Sequence, residues 1–102
     1  MRPIVLADLD KPRPVVVLTR DVAVPHLANL TVAPITSTIR GLSTEVAIGP
    51  RNGLDHDCVI SCDNITTIPK QTIIRQIGLL FDDQESDLAR AIADAFDLEP
   101  TA

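Results

Sequence analysis

The chain has 102 residues, 45% of them hydrophobic, a net charge of −5, and only two aromatics, Phe81 and Phe96. That length suits one domain around one core, and the lack of Trp and Tyr excludes a nucleic-acid site built on aromatic stacking. No apolar run approaches the ~20 residues of a membrane span, and no basic start precedes an apolar stretch, so a cytoplasmic protein is expected.

Residues 3–8 read as a short first strand, and Asp10-Lys11-Pro12 as a tight connection into a second over residues 13–20. Val15-Val16-Val17-Leu18 is apolar without alternation, the pattern of a strand buried on both faces. Pro14 has no N–H and suits the first residue or so of that strand. Arg13 is then a charge held where a rigid strand leaves the core, better placed than one on a loop. Taken by itself, such an arginine most simply pairs with a carboxylate such as Asp10 or Asp63.

Residues 21–29 form a loop containing Pro25 and His26. At an unperturbed pKa of ~6.5, His26 is the body histidine able to move protons near the early strands. Residues 30–37 alternate and are β-rich, and Pro34 places part of that third strand on an edge. After a turn at residues 40–42, residues 44–48 alternate as a fourth strand. Asn52-Gly53 is a turn signal. Residues 58–62 form a fifth strand, in which Cys58 and Cys62 lie ~13 Å apart, too far for a disulfide. With only two histidines in the chain, a zinc site has no ligand set. Residues 65–68 lead to Pro69 at the start of a short helical turn, and residues 73–81 give a last strand interrupted by Gly78.

From residue 84 the period changes. Leu88, Ile92, Ala95 and Phe96 mark one face of a helix over residues 84–98, with Asp83 as its expected N-cap. Residues 82–102 carry seven acids and one base, whereas residues 1–81 carry eight bases and seven acids. The acidity belongs to the tail segment, leaving the body free to present a basic patch. Short strands followed by one helix predict a mainly β (α+β) fold, a small twisted barrel with a packed C-terminal helix. One domain spanning residues 1–102 is expected, the barrel over about residues 3–81.

The ordered segments Arg13-Pro14-Val15-Val16-Val17-Leu18, Val32-Ala33-Pro34-Ile35-Thr36-Ser37-Thr38, Gly53-Leu54, Ser61-Cys62-Asp63-Asn64-Ile65-Thr66-Thr67-Ile68 and Gln76-Ile77-Gly78 resemble the MazF/PemK family of toxin endoribonucleases, most closely its actinobacterial MazF type. The resemblance implies an SH3-like barrel acting as a homodimer in a type II toxin–antitoxin module, inhibited by a MazE-like antitoxin with a disordered acidic tail. It implies metal-independent cleavage of single-stranded RNA, without a cofactor, to a 2′,3′-cyclic phosphate and a 5′-OH. Its catalytic arginine and threonine correspond to Arg13 and Thr36. Lys11, Ser37, Thr38, Arg40 and Asn64 are candidate RNA contacts, and His26 a candidate for proton transfer.

A guanidinium offers a planar fork of donors to phosphate oxygens gaining charge during in-line attack. Thr36 can donate one further hydrogen bond, but neither side chain is a general base. The connection at residues 10–12 is shorter than in many MazF toxins, and Thr66 stands where relatives place a basic or amide group. Two other functions share this fold pattern: a CcdB-like gyrase-binding toxin, and a domain without nuclease activity that only binds its antitoxin.

Overall fold

The protein is described from a computed structural model, which covers residues 1–99; the last three residues of the expected domain, 100–102, lie outside the described residues. The strands are β1 (Arg2–Asp8), β2 (Pro12–Val17), β3 (Asn29–Thr36), β4 (Glu45–Ile48), β5 (Cys58–Ser61), β6 (Thr66–Pro69) and β7 (Ile73–Leu80). One helix, α1 (Glu85–Ala95), follows them. The strands form one curled antiparallel sheet in the order β4-β5-β3-β2-β1-β7, with β6 attached to β3. This is the mainly β half-barrel with a C-terminal helix that the strand pattern anticipates.

The sheet is buried on both faces at β2, as its Val run requires. Val16 joins Ile4, Ile60, Leu80 and Leu88 in one cluster, while Val15 and Val17 join Leu30, Val32 and Ile68 in another. Each fully buried branched side chain contributes roughly 1.5–3 kcal/mol relative to exposure. The helix covers the first cluster with Leu88 and Ala91, against which Ile92 and Ala95 pack.

Several sequence expectations are corrected. Strand β2 ends at Val17 rather than residue 20, because the Leu18 and Thr19 N–H groups both donate to the Thr31 carbonyl, at 2.8 and 3.3 Å, and Asp21–His26 then coils as a 3-10 helix. Strand β3 is not an edge: it pairs with β2 on one side, and on the other with β6 up to Val32 and with β5 from Ile35. Pro34 falls in the gap between those two partners, where no ladder bond is lost. Residues 66–69 are a strand; β7 (Ile73–Leu80) is broken beside Gly78 as expected, since its register with β1 shifts between the Ile4–Gly78 and Val5–Gln76 pairs. Cys62 lies in a one-turn 3-10 helix, Cys62–Asn64, rather than in β5. Both cysteines are buried free thiols, and burial, with the neighbouring Asp63 charge second, pushes the Cys62 thiol up to about 11.

The helix start also differs. Asp83 is not the N-cap; its carboxylate accepts two bonds from Arg51, at 3.0 and 3.1 Å. A 3-10 turn, Asp82–Gln84, leads into α1, which stops at Ala95 and leaves Phe96 55% exposed instead of packed.

A polar network fastens that helix to the barrel. Asn52 is fully buried; its Nδ2 donates to the Leu79 carbonyl at 2.9 Å and to Gln84 Oε1 at 2.7 Å, and its Oδ1 accepts the Gly49 N–H at 3.2 Å. Gln84 Oε1 in turn accepts the Phe81 N–H at 3.0 Å. The turn holding Asn52 lies flush on β7: a Cβ on Gly53, whose φ is +91°, would stand 2.0 Å from the Ile77 carbonyl oxygen, and one on Gly78 would stand 1.8 Å from that of Asn52. Truncating Asn52 strands several buried partners, each costing roughly 1–3 kcal/mol. Asn52→Ala is therefore expected to lower the free energy of unfolding by about 3 kcal/mol in urea titration; a loss under about 0.5 kcal/mol would contradict this reading.

Candidate functional site

The β2–β3 ladder pairs Val17 with Val32, Val16 with Ala33 and Val15 with Pro34, and ends there. Beyond it, Pro14, Arg13 and Pro12 keep only β1, whereas Ile35 and Thr36 keep only β5. The two strands part like a fork. Carried two residues further, the same register sets Arg13 across from Thr36. By strand alternation both belong to the sheet face that carries Val15, Val17 and Val32. The structure thus brings the two expected catalytic residues to opposite arms of one fork.

Arg13 is engaged from one side. Its Nε and Nη2 donate to the two carboxylate oxygens of Asp10, at 2.8 and 3.0 Å. Of the five N–H donors on a guanidinium, those on Nη1 stay free among the described residues. The pair is exposed, so its contribution to stability is small; what it supplies is orientation. The Arg13 hydrogen bond holds the Asp10 carboxyl well below the usual carboxylate range, and Asp10 in turn raises Arg13. Of the two carboxylates named as possible partners, the tight connection at residues 10–12 decides for Asp10.

On the Thr36 arm a groove of about 440 Å³ opens, lined by Pro34, Thr36, Thr38, Arg40, Leu42, Glu45, Ser61, Asp63 and Asn64. Its walls are tied by short polar contacts. Thr36 Oγ1 accepts the Thr38 N–H at 3.1 Å, and Glu45 Oε1 accepts the N–H groups of Arg40 and Leu42 at 3.2 and 3.1 Å. Thr44 Oγ1 donates to Asp63 Oδ2 at 2.7 Å, and Asn64 Nδ2 donates to Ser61 Oγ at 2.8 Å. The Arg40 guanidinium makes no ion pair among the described residues.

Thr36, Thr38, Arg40 and Asn64 are therefore gathered in one groove, while Arg13 lies outside its lining, on the other arm of the fork. Ser37 is exposed beside it, and Lys11 is exposed in the hairpin that presents Arg13. His26 is not gathered: it ends the 3-10 helix joining Val17 to Asn29, at the far end of β2 and β3 from Arg13 and Thr36. Sequence reasoning missed Glu45, Ser61 and Thr44. Their relevance depends on which loop each reaches, and no local pattern announces it. Among the described residues no cluster of His, Cys, Asp and Glu has the makings of a metal site, and no described helix is long and apolar enough to cross a membrane.

The sequence profile described as "PemK-like, MazF-like toxin of type II toxin-antitoxin system" matches residues 2–96. The chain is 59% identical over 99 residues to endoribonuclease MazF3 of Mycobacterium tuberculosis, covering 97% of this chain and 96% of that protein. The solved Mycobacterium tuberculosis toxin MazF-mt6 superposes with a TM-score of 0.94 at 58% identity, covering 96% of this chain and 99% of that one. The fold also matches a mycobacterial endoribonuclease in complex with its cognate antitoxin, at a TM-score of 0.86 and 24% identity, over 97% and 95% of the two chains.

The Asp10–Arg13 pair has a measurable signature. Because the folded-state pKa of Asp10 is depressed, any stability the pair adds is present above the unfolded value and is lost as pH falls through the folded one. Arg13→Ala is expected to return the Asp10 carboxyl to about 3.9, read by NMR titration of its side-chain carbon. An unchanged titration in the variant would refute the pairing.

Proposed function

Since this chain belongs to the PemK-like, MazF-like toxins of type II toxin–antitoxin systems, we propose that its Arg13–Thr36 fork is the site at which it cuts RNA. The protein is a toxin endoribonuclease. The observation that supports this reading is the β2–β3 register, which, extended two residues past its last pair, puts an arginine with free Nη1 donors across from a threonine that lines a polar groove.

In this reading the RNA backbone crosses the fork. The ribose 2′-oxygen attacks the adjacent phosphorus, the bond to the 5′-oxygen breaks, and that oxygen leaves as a hydroxyl. A 2′,3′-cyclic phosphate remains on the other fragment. The 2′-hydroxyl proton is given up and one is taken by the leaving oxygen, so neither water nor metal is consumed. Negative charge grows on the non-bridging oxygens as attack proceeds, and the Nη1 edge of Arg13 is the donor aimed at them. Asp10 holds the guanidinium in place, so little reorganisation is needed at the moment of reaction. Thr36 Oγ1, which accepts from Thr38, keeps its own proton to donate to the phosphate.

The protein acts in the cytoplasm as a homodimer held by a MazE-like antitoxin. Support comes from the mycobacterial protein of the same fold that is bound by its cognate antitoxin. A gyrase-binding toxin has no use for a phosphate site, and the matching family is that of PemK and MazF rather than of gyrase poisons.

Incubation with total RNA in the presence of EDTA is expected to yield new 5′-OH ends, mapped by sequencing. Arg13→Ala should lower the cleavage rate by ~10²–10³, the usual worth of one pre-organised donor, with Thr36→Val less affected. Intact RNA under these conditions, from protein that still binds its antitoxin, would overturn the assignment.

A further inference from the structure

A groove for a polyanion should be poor in carboxylates, yet the one beside Thr36 holds two, Asp63 and Glu45. Asp63 accepts from the Thr44 hydroxyl. Glu45 holds a wall of the groove. That wall is the loop of residues 37–43, every one of which is exposed, so burial does little to fix it. Polar contacts at its two ends do. At the start, Thr36 Oγ1 accepts the Thr38 N–H at 3.1 Å. At the end, Glu45 Oε1 accepts the N–H groups of Arg40 and Leu42 at 3.2 and 3.1 Å, and the Glu45 N–H donates back to the Leu42 carbonyl at 3.1 Å. Gly41, between those two residues, has a φ of +73°, and the N–H groups on either side of it converge on one oxygen, a concave arrangement suited to an anion. Along the loop Thr38, Arg40 and Leu42 line the groove, whereas Ile39 lines a separate apolar hollow with Ala47 and Val59.

We propose that Glu45 is a positioning residue for RNA binding: by fixing the loop, it sets Arg40 at the groove as a contact to the RNA backbone. This rests on the RNA-cleaving reading of the same groove. Arg40 lines the groove, and its guanidinium makes no ion pair among the described residues, with Glu45 or with any other acid. The Glu45 carboxylate is directed at the Arg40 main chain, which leaves the side chain for the substrate. A guanidinium suits a phosphate through its planar fork of donors, and a residue whose backbone is already ordered loses less freedom on binding. Against this stands repulsion between the Glu45 charge and the RNA phosphates. The two N–H dipoles that face the carboxylate offset part of that charge, and the ordering of Arg40 outweighs the rest. One residue thus has two effects of opposite sign on RNA binding, and variants that remove the same charge separate them.

The test is steady-state cleavage of a single-stranded RNA oligonucleotide spanning a cut mapped from total RNA, by wild type, Glu45→Val, Glu45→Gln and Arg40→Ala. Both Glu45 variants remove the same charge, but only glutamine keeps an oxygen able to accept the two N–H groups. Glu45→Val should raise KM roughly tenfold, the scale of one charge-assisted hydrogen bond, with kcat unchanged, as when binding common to ground and transition states is lost. Glu45→Gln should recover most of that loss. Arg40→Ala should match Glu45→Val, and combining the two should add nothing further, since both act through one contact. In either variant the log–log slope of KM against salt should flatten by about 0.7, the share of one phosphate contact on a single strand. The bonds lost are exposed, so water can replace the carboxylate and each variant should stay folded in urea titration. A KM for Glu45→Val at or below that of wild type would overturn the inference, because repulsion would then be the larger effect. So would a glutamine variant as impaired as the valine one, or a fall in kcat alone, which would place Glu45 in the chemistry; both leave the cleavage reading standing. A wild type that cuts no RNA would overturn the cleavage reading, and this inference with it.

Discussion

Everything at the site follows from the way β3 shares its two edges. A strand can pair with only one neighbour on each side at a given residue, and β3 has three to satisfy. It gives β2 one edge over residues 32–34 and divides the other between β6 and β5, changing partner across Ala33 and Pro34. A proline is tolerated there because the missing N–H coincides with the change of partner. Past that point β3 follows β5 while β2 follows β1, and the sheet opens. A barrel continued with full pairing would have filled the space between Arg13 and Thr36 with backbone hydrogen bonds. The fork exists because the ladder stops.

The fork needs stiff arms, and the two are stiffened differently. The β2 arm is apolar: Val15, Val16 and Val17 are buried on alternate faces, so the strand cannot slip without moving a whole set of side chains across the sheet. The other wall is polar. Glu45, Thr44 and Ser61 tie the loops after β3 and β5 through side-chain contacts of 2.7–3.2 Å. A rigid arm carries the charged donor, and a hydrogen-bonded wall carries Thr36, Arg40 and Asn64. Asn52 and Gln84 lock the start of α1 onto β7, keeping the acidic helix as part of the core's cover.

Charge is sorted by the same architecture. A net charge of −5 ought to repel RNA, but four of the carboxylates are engaged by arginines: Glu85 by Arg2, Asp83 by Arg51, Asp87 by Arg90 and Asp10 by Arg13. Arg40 is left with a free guanidinium at the groove. The local field at the fork is thus set by a few pairings, which the total charge does not report.

Composition and pattern alone determined the strand count up to β5, the burial of β2 on both faces, the helix after residue 84 and the reduced cysteines. These are local or periodic properties, readable wherever side-chain spacing decides which face is apolar. The ordered segments from Arg13 to Gly78 also carried the family and the two residues of the fork. The tertiary structure decided the rest. Strand β6 was missed because Thr66–Pro69 is too short and too exposed to announce itself; it is a strand only because β3 has a free edge there. Asp83 looked like a cap until folding brought Arg51 to it. His26 looked close to the site because it lies between Arg13 and Thr36 in the chain, yet antiparallel pairing sends the connection between two strands to the end opposite their free tips. Conversely, Glu45 and Thr44 carry no signal in their own segments, since what they do depends on N–H groups and a carboxylate that only the folded loops bring within hydrogen-bonding distance.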